Sequence, residues 1–400
     1  MREWPARRLI GLEEKAAVDA LFDQAIADGE AFGYGGPSED TFCKEFAEFL
    51  GGGYADAVNA GTTAVYVALR SLNLEPFTEV IVPPISDPGG IMPVPLLNLI
   101  PVVADCAPGR YNIGPEQIEA VISPYTSAIL VAHIAGEPAD MEGIMAVAKK
   151  HNLPVVEDCA QAHGAKLNGK LVGTFGSVGA FSTMFGKHIC TGGQGGVVFT
   201  KDEEHYQFVR RCSDRGKPFF MPAGSTNCFA TLNFNSDDLA CTIGSVQLKR
   251  LPGMVESRRR SAAAIFAGLD KLKSVSRPDE PAGAECSYWF LRLKFNKDAV
   301  GCDKATFVNT LADEGFPVAP DYNSMPYRQE WFTKRNVLGT SGYPWASPLY
   351  KGDPNREFPC PNAVKAIEDH LFVYFHENWT DEDVQALLEG FARMEAKHSI

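Results

Sequence analysis

Phe181-Ser-Thr-Met-Phe-Gly-Lys187-His-Ile-Cys-Thr-Gly-Gly-Gln-Gly-Gly196 sets a single lysine among aromatic and small residues. Five small positions follow it, Thr191, Gly192, Gly193, Gly195 and Gly196, where a backbone can pass close to another group. An ammonium in such company does little for solubility. A lysine enclosed by apolar surface has a depressed pKa and becomes a nucleophile for carbonyl groups. Lys187 therefore reads in two ways: as the holder of an aldehyde cofactor, pyridoxal phosphate, in a Schiff base, or as a surface lysine in a glycine-rich loop.

Upstream, Val155-Val-Glu157-Asp158-Cys-Ala-Gln161-Ala-His163-Gly164 closes an apolar run with two carboxylates. A buried acid needs a partner to offset its desolvation. For Asp158 that partner would be the protonated pyridine nitrogen of the cofactor, whose charge keeps the ring an electron sink. The competing reading pairs both acids with surface arginines or lysines. His163 is expected to be a satisfied structural histidine, and His188 stays open between support and substrate contact. Further upstream, Tyr54-Ala-Asp-Ala-Val-Asn-Ala runs as a strand into Gly61-Thr62-Thr63 and a helix. Free N–H groups at a helix start, with two hydroxyls, suit a phosphate; simple N-capping by threonine is the alternative.

Around these motifs the chain alternates. Apolar strands are expected at 79–84, 99–105, 128–133, 153–158 and 195–200. Helices are expected at 12–29, 39–50, after Gly61, at 115–122, 141–151 and 203–211. Phe42, Phe46 and Phe49 lie at near-helical spacing and read as core. Strands that are apolar on both faces predict an α/β fold with a covered, mostly parallel sheet. Ligands of such sheets bind beyond the carboxyl ends of the strands. Residues 217–236 are loop-rich, and two further helices are expected at 237–251 and 258–272. The texture then changes: strands at 288–295 and 316–320, a helix at 304–314, a Pro- and aromatic-rich segment at 320–360 and a final helix from Thr380. This predicts a large domain, 1–252, and a smaller C-terminal α+β domain, 253–400.

Composition narrows the function classes. A net charge of −13 opposes nucleic acid and anionic membrane as partners. The 10 cysteines form no C-x-x-C pair, so no zinc or iron–sulfur site is signalled and no metal is expected. Scattered thiols suit a reducing compartment. Met1-Arg-Glu-Trp-Pro lacks an apolar signal core, and no apolar run approaches a membrane span. The expectation is a cytoplasmic enzyme.

Glu157-Asp-Cys-Ala-Gln-Ala-His-Gly164, then Phe181-Ser and Lys187, resembles the DegT/StrS-type sugar aminotransferases of the type I pyridoxal phosphate (aspartate aminotransferase-like) fold. His133 with Gly136-Glu-Pro-Ala-Asp-Met141, Asn233, Pro361-Asn-Ala363 and Trp379-Thr-Asp-Glu-Asp-Val384 extend the resemblance over most of the chain. It implies that Lys187 is the Schiff-base lysine and proton shuttle, that Asp158 meets the pyridine nitrogen and Gln161 the ring hydroxyl. It implies that Gly61, Thr62, Thr63 and Ser182 hold the phosphate, and that Asn233 reaches the phosphate of a neighbouring subunit in a homodimer. Three positions depart from the pattern. Asp87 stands where an aromatic residue usually covers the ring, Gln194 where an acid is usual, and Asn235 where an arginine is usual. These point to an unusual substrate, with Asp87, His163, His188, Gln194 and Tyr322 as contacts; Arg215, Lys217 and Tyr327 are further candidates for an anionic one.

The implied reaction is a ping-pong transamination from an amino acid, glutamate in the first place, to a keto- or aldehydo-sugar. The Lys187–Gly196 stretch resembles the branch that aminates position 8 of Kdo, a lipopolysaccharide sugar acid, giving 8-amino-3,8-dideoxy-manno-octulosonate. The alternative acceptor is a nucleotide-linked 3- or 4-keto-sugar. A pyridoxal phosphate-dependent sugar dehydratase is disfavoured, because that branch carries histidine where Lys187 stands. A non-catalytic cofactor sensor is disfavoured by the lack of a DNA-binding module.

Overall fold

The computed structural model describes residues 2–322 and 324–399. Seven strands form the central sheet: β1 (Tyr54–Val58), β2 (Glu79–Val82), β3 (Ile100–Val103), β4 (Thr126–Ala132), β5 (Val155–Asp158), β8 (Val178–Ser182) and β9 (Gly196–Thr200). Their order is β1-β9-β8-β5-β4-β2-β3. Neighbours run parallel from β3 to β8, and β9 runs antiparallel to both β8 and β1. The apolar runs made this sheet legible, because β2, β3, β5, β8 and β9 are buried at every position. Between β5 and β8 a short hairpin, β6 (Lys166–Leu167) and β7 (Lys170–Leu171), pairs through β6 with β11 (Ala284–Glu285).

Helices α1 (Leu12–Asp28), α2 (Pro37–Phe49), α3 (Gly61–Ser71), α4 (Pro93–Leu96), α5 (Pro115–Glu119), α6 (Met141–His151) and α7 (Glu203–Ser213) cover the sheet or lead into it. Phe46 of α2 packs edge-on against Phe181 of β8 and Phe42 against Phe46, both buried, whereas Phe49 is only partly covered. The helices expected at 237–251 and 258–272 are one helix, α8 (Asp238–Leu269), with Pro252 inside it. Leu248, Leu251, Met254 and Val255 keep one buried face through that point, so packing outweighs the lost backbone hydrogen bond. The boundary expected at 252/253 therefore falls in mid-helix.

Beyond α8, a second sheet of order β10-β12-β14-β13 is wholly antiparallel: β10 (Val275–Ser276), β12 (Leu291–Phe295), β13 (Val318–Ala319) and β14 (His370–Val373). The strands expected at 288–295 and 316–320 shrink to these spans. Helices α9 (Lys304–Asp313), α10 (Glu330–Thr333), α11 (Pro361–Asp369) and α12 (Asp381–Lys397) complete the chain. Thr380 and Asp383 form a capping box at the start of α12. Phe307, Val308, Leu387 and Phe391 share one core with β12 and the second half of α8. Residues 325–350 take their place in a different core. Met325, Tyr327, Phe332, Trp345 and Tyr350 pack into the core of the central sheet instead. Two buried arginines fasten the layers: Arg292 grips Glu137 through two hydrogen bonds of 3.1 and 2.8 Å, and Arg258 meets Glu377 at 2.8 Å. No helix of the described residues is long and apolar enough to cross a membrane.

Candidate active site

The strand ends converge on a cavity of about 210 Å³. Ala60, Gly61 and Thr62 enter it from the start of α3, and Asp87, Gly89 and Gly90 from the turn after β2. Asp158 and Ala160 come from the tip of β5, Ser182 from the tip of β8, and Met184, Lys187 and Gln194 from the loop between β8 and β9. This is the carboxyl edge of the parallel strands, where the sequence placed it.

Lys187 is only 6 % exposed. Burial pushes its amine below the ordinary lysine range, against the opposing charges of Asp158 and Asp87. Its Nζ lies 4.0 Å from the ring centroid of Trp289. Backbone pairing brings that tryptophan across: Ser287 N–H donates to Gly136 O and Trp289 N–H to Ala135 O, both at 2.9 Å. Gly136 is required there, because its φ is +82° and a Cβ would lie 2.4 Å from Tyr288 N. Trp289 lies 102 positions beyond Lys187, and nothing local in the sequence marks it.

Asp158 is buried, and burial raises its pKa; the Ala160 N–H at 3.0 Å and the charge of Lys187 oppose that shift. Its neighbour Glu157 points the other way. Glu157 accepts from the amides of Gly173, Phe175 and Gly176 at 2.8, 2.7 and 2.6 Å. It also pairs with His133 Nε2 at 3.1 Å. His133 Nδ1 accepts from Ala139 N–H, so Nε2 is the protonated nitrogen. The cluster of His133, Glu157 and Cys159 is thus internally bonded, with its acid and imidazole already committed.

The turn after β2 is pressed against the other walls. A Cβ on Gly89 would lie 2.3 Å from Thr62 Oγ1, and one on Gly90 would lie 2.6 Å from Asp158 Oδ2. A Cβ on Gly61 would fall 2.7 Å from Ser182 Oγ. Ala60, at the N-cap of α3, offers no side chain to its first turn. The cavity thus joins an uncapped helix N-terminus with two hydroxyls, a buried acid and a buried amine.

The pattern of one protein family matches residues 13–392. The chain belongs to the DegT/DnrJ/EryC1/StrS aminotransferase family. It is 36 % identical over 262 residues to a UDP-N-acetyl-3-dehydro-α-D-glucosamine 3-aminotransferase of Acidithiobacillus ferrooxidans, covering 64 % of this chain and 68 % of the relative. It is 30 % identical over 341 residues to an L-glutamine:2-deoxy-scyllo-inosose aminotransferase of Streptomyces fradiae, covering 81 % and 79 %. The crystal structure of an aminotransferase from Psychrobacter cryohalolentis superposes with a TM-score of 0.85 at 29 % identity, covering 99 % of each chain. This chain is a pyridoxal phosphate-dependent aminotransferase with the type I fold.

The cavity of this aminotransferase suits that cofactor. A helix N-terminus with Thr62 and Ser182 fits a phosphate, Asp158 a ring nitrogen and Lys187 an aldehyde. The remaining expected residues divide. Thr63 turns away, its hydroxyl bonded to Ala60 O at 2.8 Å and Asn59 Oδ1 at 2.9 Å. Gln161 is buried behind the lining, receiving Ala135 N–H and donating to Tyr322 Oη, both at 2.9 Å. Tyr322 lines an adjoining cavity of about 290 Å³ with Arg7, Gly186, Arg258, Trp289 and Tyr374. Asn233 is exposed and bonded to Asn235. Arg215 and Lys217 pair with Asp214 and Tyr34. Tyr327 lines a separate cavity of about 520 Å³, which lies against β3 and holds none of the groups around Lys187.

His163 corrects an expectation. It is buried, but neither ring nitrogen has a hydrogen-bond partner among the described residues. It stacks obliquely near Phe181 and His188 with centroids 5.6 and 5.7 Å away. Burial and the charge of Lys187 push its pKa down to about 3. His188 Nε2 donates to Ser287 O at 3.0 Å, and burial holds its pKa well below the ordinary value. Both imidazoles stand behind the lysine loop and outside the cavity lining.

Proposed function

We propose that this aminotransferase moves an amino group from an amino acid, glutamate in the first place, to a keto- or aldehydo-sugar. The observation that carries the reading is one buried amine and one buried acid, Lys187 and Asp158, lining a single cavity with opposing pKa displacements. Such divergence is the signature of groups set for acid–base work. Pyridoxal phosphate, when bound, supplies the carbonyl that takes up the amine and the ring that withdraws electrons. Lys187 would tether it, and its released amine would serve as the base that moves a proton at the substrate carbon. Asp158 holds the ring nitrogen protonated. Gly61, Thr62 and Ser182 would receive the phosphate, Gln161 would act from behind the lining through its bonds to Ala135 and Tyr322, and Trp289 covers Lys187.

Asn233, exposed on its own subunit, reaches the phosphate of a neighbouring subunit in a homodimer. Phe185, two residues before the lysine, and Phe220 and Leu232, ahead of Asn233, support that arrangement, each more than half exposed. Large exposed apolar side chains favour burial against a partner, here a second copy of the chain.

Two acceptors are in contention. The Lys187–Gly196 stretch favours oxidised Kdo. The name of the 36 % identical relative favours a nucleotide-linked 3-keto-sugar. A panel of both classes, with glutamate and glutamine as donors, decides between them by mass-spectrometric detection of the amino-sugar. Water loss without amine incorporation would mean a dehydratase. Failure of every donor to convert the cofactor would refute the reading.

A further inference from the structure

The cavity's charges do not balance. Its lining contains two carboxylates, Asp87 and Asp158, and Lys187 as its single cationic side chain. Asp158 would be answered by the ring nitrogen of the cofactor, and Lys187, once tethered, would no longer be a free ammonium. Among the described lining residues no further cationic side chain is then available to Asp87. Its position is fixed: it caps the turn after β2, with Oδ1 accepting Gly89 N–H at 2.9 Å. The residue lines the cavity and is exposed. The turn cannot drift, because Gly89 abuts Thr62 and Gly90 abuts Asp158. Gln194, also in the lining, brings no charge.

We propose that Asp87 is a positioning residue that docks the ammonium group of the amino donor beside Lys187. This rests on the aminotransferase reading of the cavity. An incoming amino acid carries the missing positive charge, and a charge-assisted hydrogen bond to a fixed carboxylate orients its nitrogen toward the lysine's attachment point. The amino-sugar product carries the same group. Keto acids and keto-sugars do not, so Asp87 discriminates between the two halves of the cycle. The groups that face this exchange are Asp158 from β5, Lys187 from the loop after β8 and Tyr322 from the adjoining cavity; Asp87 acts on the titration of all three.

Two variants of the holoenzyme test it. Asp87→Asn keeps an oxygen to cap Gly89 N–H and removes only the charge. Asp87→Ala removes both. Single-turnover conversion of the bound cofactor is followed spectroscopically against glutamate and glutamine concentration, then against a keto-substrate for the reverse half. Asp87→Asn should raise the donor concentration for half-maximal rate about tenfold or more, with a much smaller fall in maximal rate. Its half-saturation by keto-substrate and its cofactor content should stay at wild-type values. Asp87→Ala should show the same shift with a lower melting temperature from the lost cap. An unchanged donor half-saturation in Asp87→Asn, or an equal shift for keto-substrates, overturns the proposal. A wild-type enzyme whose cofactor no amino acid converts overturns the parent reading instead.

Discussion

Glu157 and Asp158 are consecutive on β5, both carboxylates and both buried, yet the two faces of the strand tip treat them in opposite ways. Glu157 has three backbone amides and an imidazole N–H, enough to fill its lone pairs. Asp158 has one amide and an open cavity. A saturated buried acid is architecture: it fixes the loop that carries Gly173 and Gly176 and the segment around His133. An unsaturated one stores free energy, since desolvation is offset only when a ligand arrives. The difference teaches that an acidic pair at a strand end is not two copies of one function. Which member does chemistry is read from the partners it lacks.

The sharpest way to break this comparison is Glu157→Ala. It strands three amides and the His133 N–H in the interior, and should cost about 3–5 kcal/mol in chemical denaturation. A cost below about 1 kcal/mol would remove the distinction. Asp158→Asn should instead leave the fold within about 1 kcal/mol and lower turnover about 10²–10³-fold, of the order seen when one electrostatic stabiliser is lost. Equal damage to fold and turnover would make Asp158 a second Glu157.

The buried histidines sharpen the same contrast through pH. His163 and His370 are pushed down to about 3 and about 2 by burial, with Lys187 and Arg292 adding repulsion. Below about pH 6.5 the unfolded chain binds protons that the folded chain refuses. Stability should therefore fall as pH drops from about 6.5 toward 3, by about 2 kcal/mol per histidine between pH 7 and 5. Replacing His163 with Phe should flatten that slope by one proton; an unchanged slope would contradict its neutral state. The smallest effect is expected from Lys187→Met in the apoprotein. The lysine's lowered pKa means that its charge is a burden to the fold at neutral pH, so the variant should gain about 1 kcal/mol. A loss would show that Lys187 is held for structure.

How far the sequence disclosed this follows from what each signal can encode. Burial on both faces writes itself into strands as unbroken apolar runs, so the parallel sheet was legible from 80–82, 128–132 and 155–158. Strand direction leaves no such mark, and the antiparallel β9 was not foreseen. Leu251-Pro252-Gly253 carries every local breaker signal, but α8 continues because its buried stripe continues. The cavity's chain-local pieces, Gly61-Thr62, Asp158, Ser182 and Lys187, were visible as motifs. Trp289 was not, because its approach to Lys187 is made by backbone bonds from 287 and 289 to 135 and 136. His163 looked satisfied because a histidine in a motif gives no hint of its partners.

The central claim is that Lys187 and Asp158 grip one cofactor from two sides. Incubation with pyridoxal phosphate, borohydride reduction and peptide mass mapping test it most directly. The phosphopyridoxyl mass is predicted on the peptide containing Lys187, at one per chain, and its yield should drop at matched cofactor concentration in Asp158→Ala. Stoichiometric label on another lysine, or undiminished labelling of Lys187 without Asp158, would contradict the account.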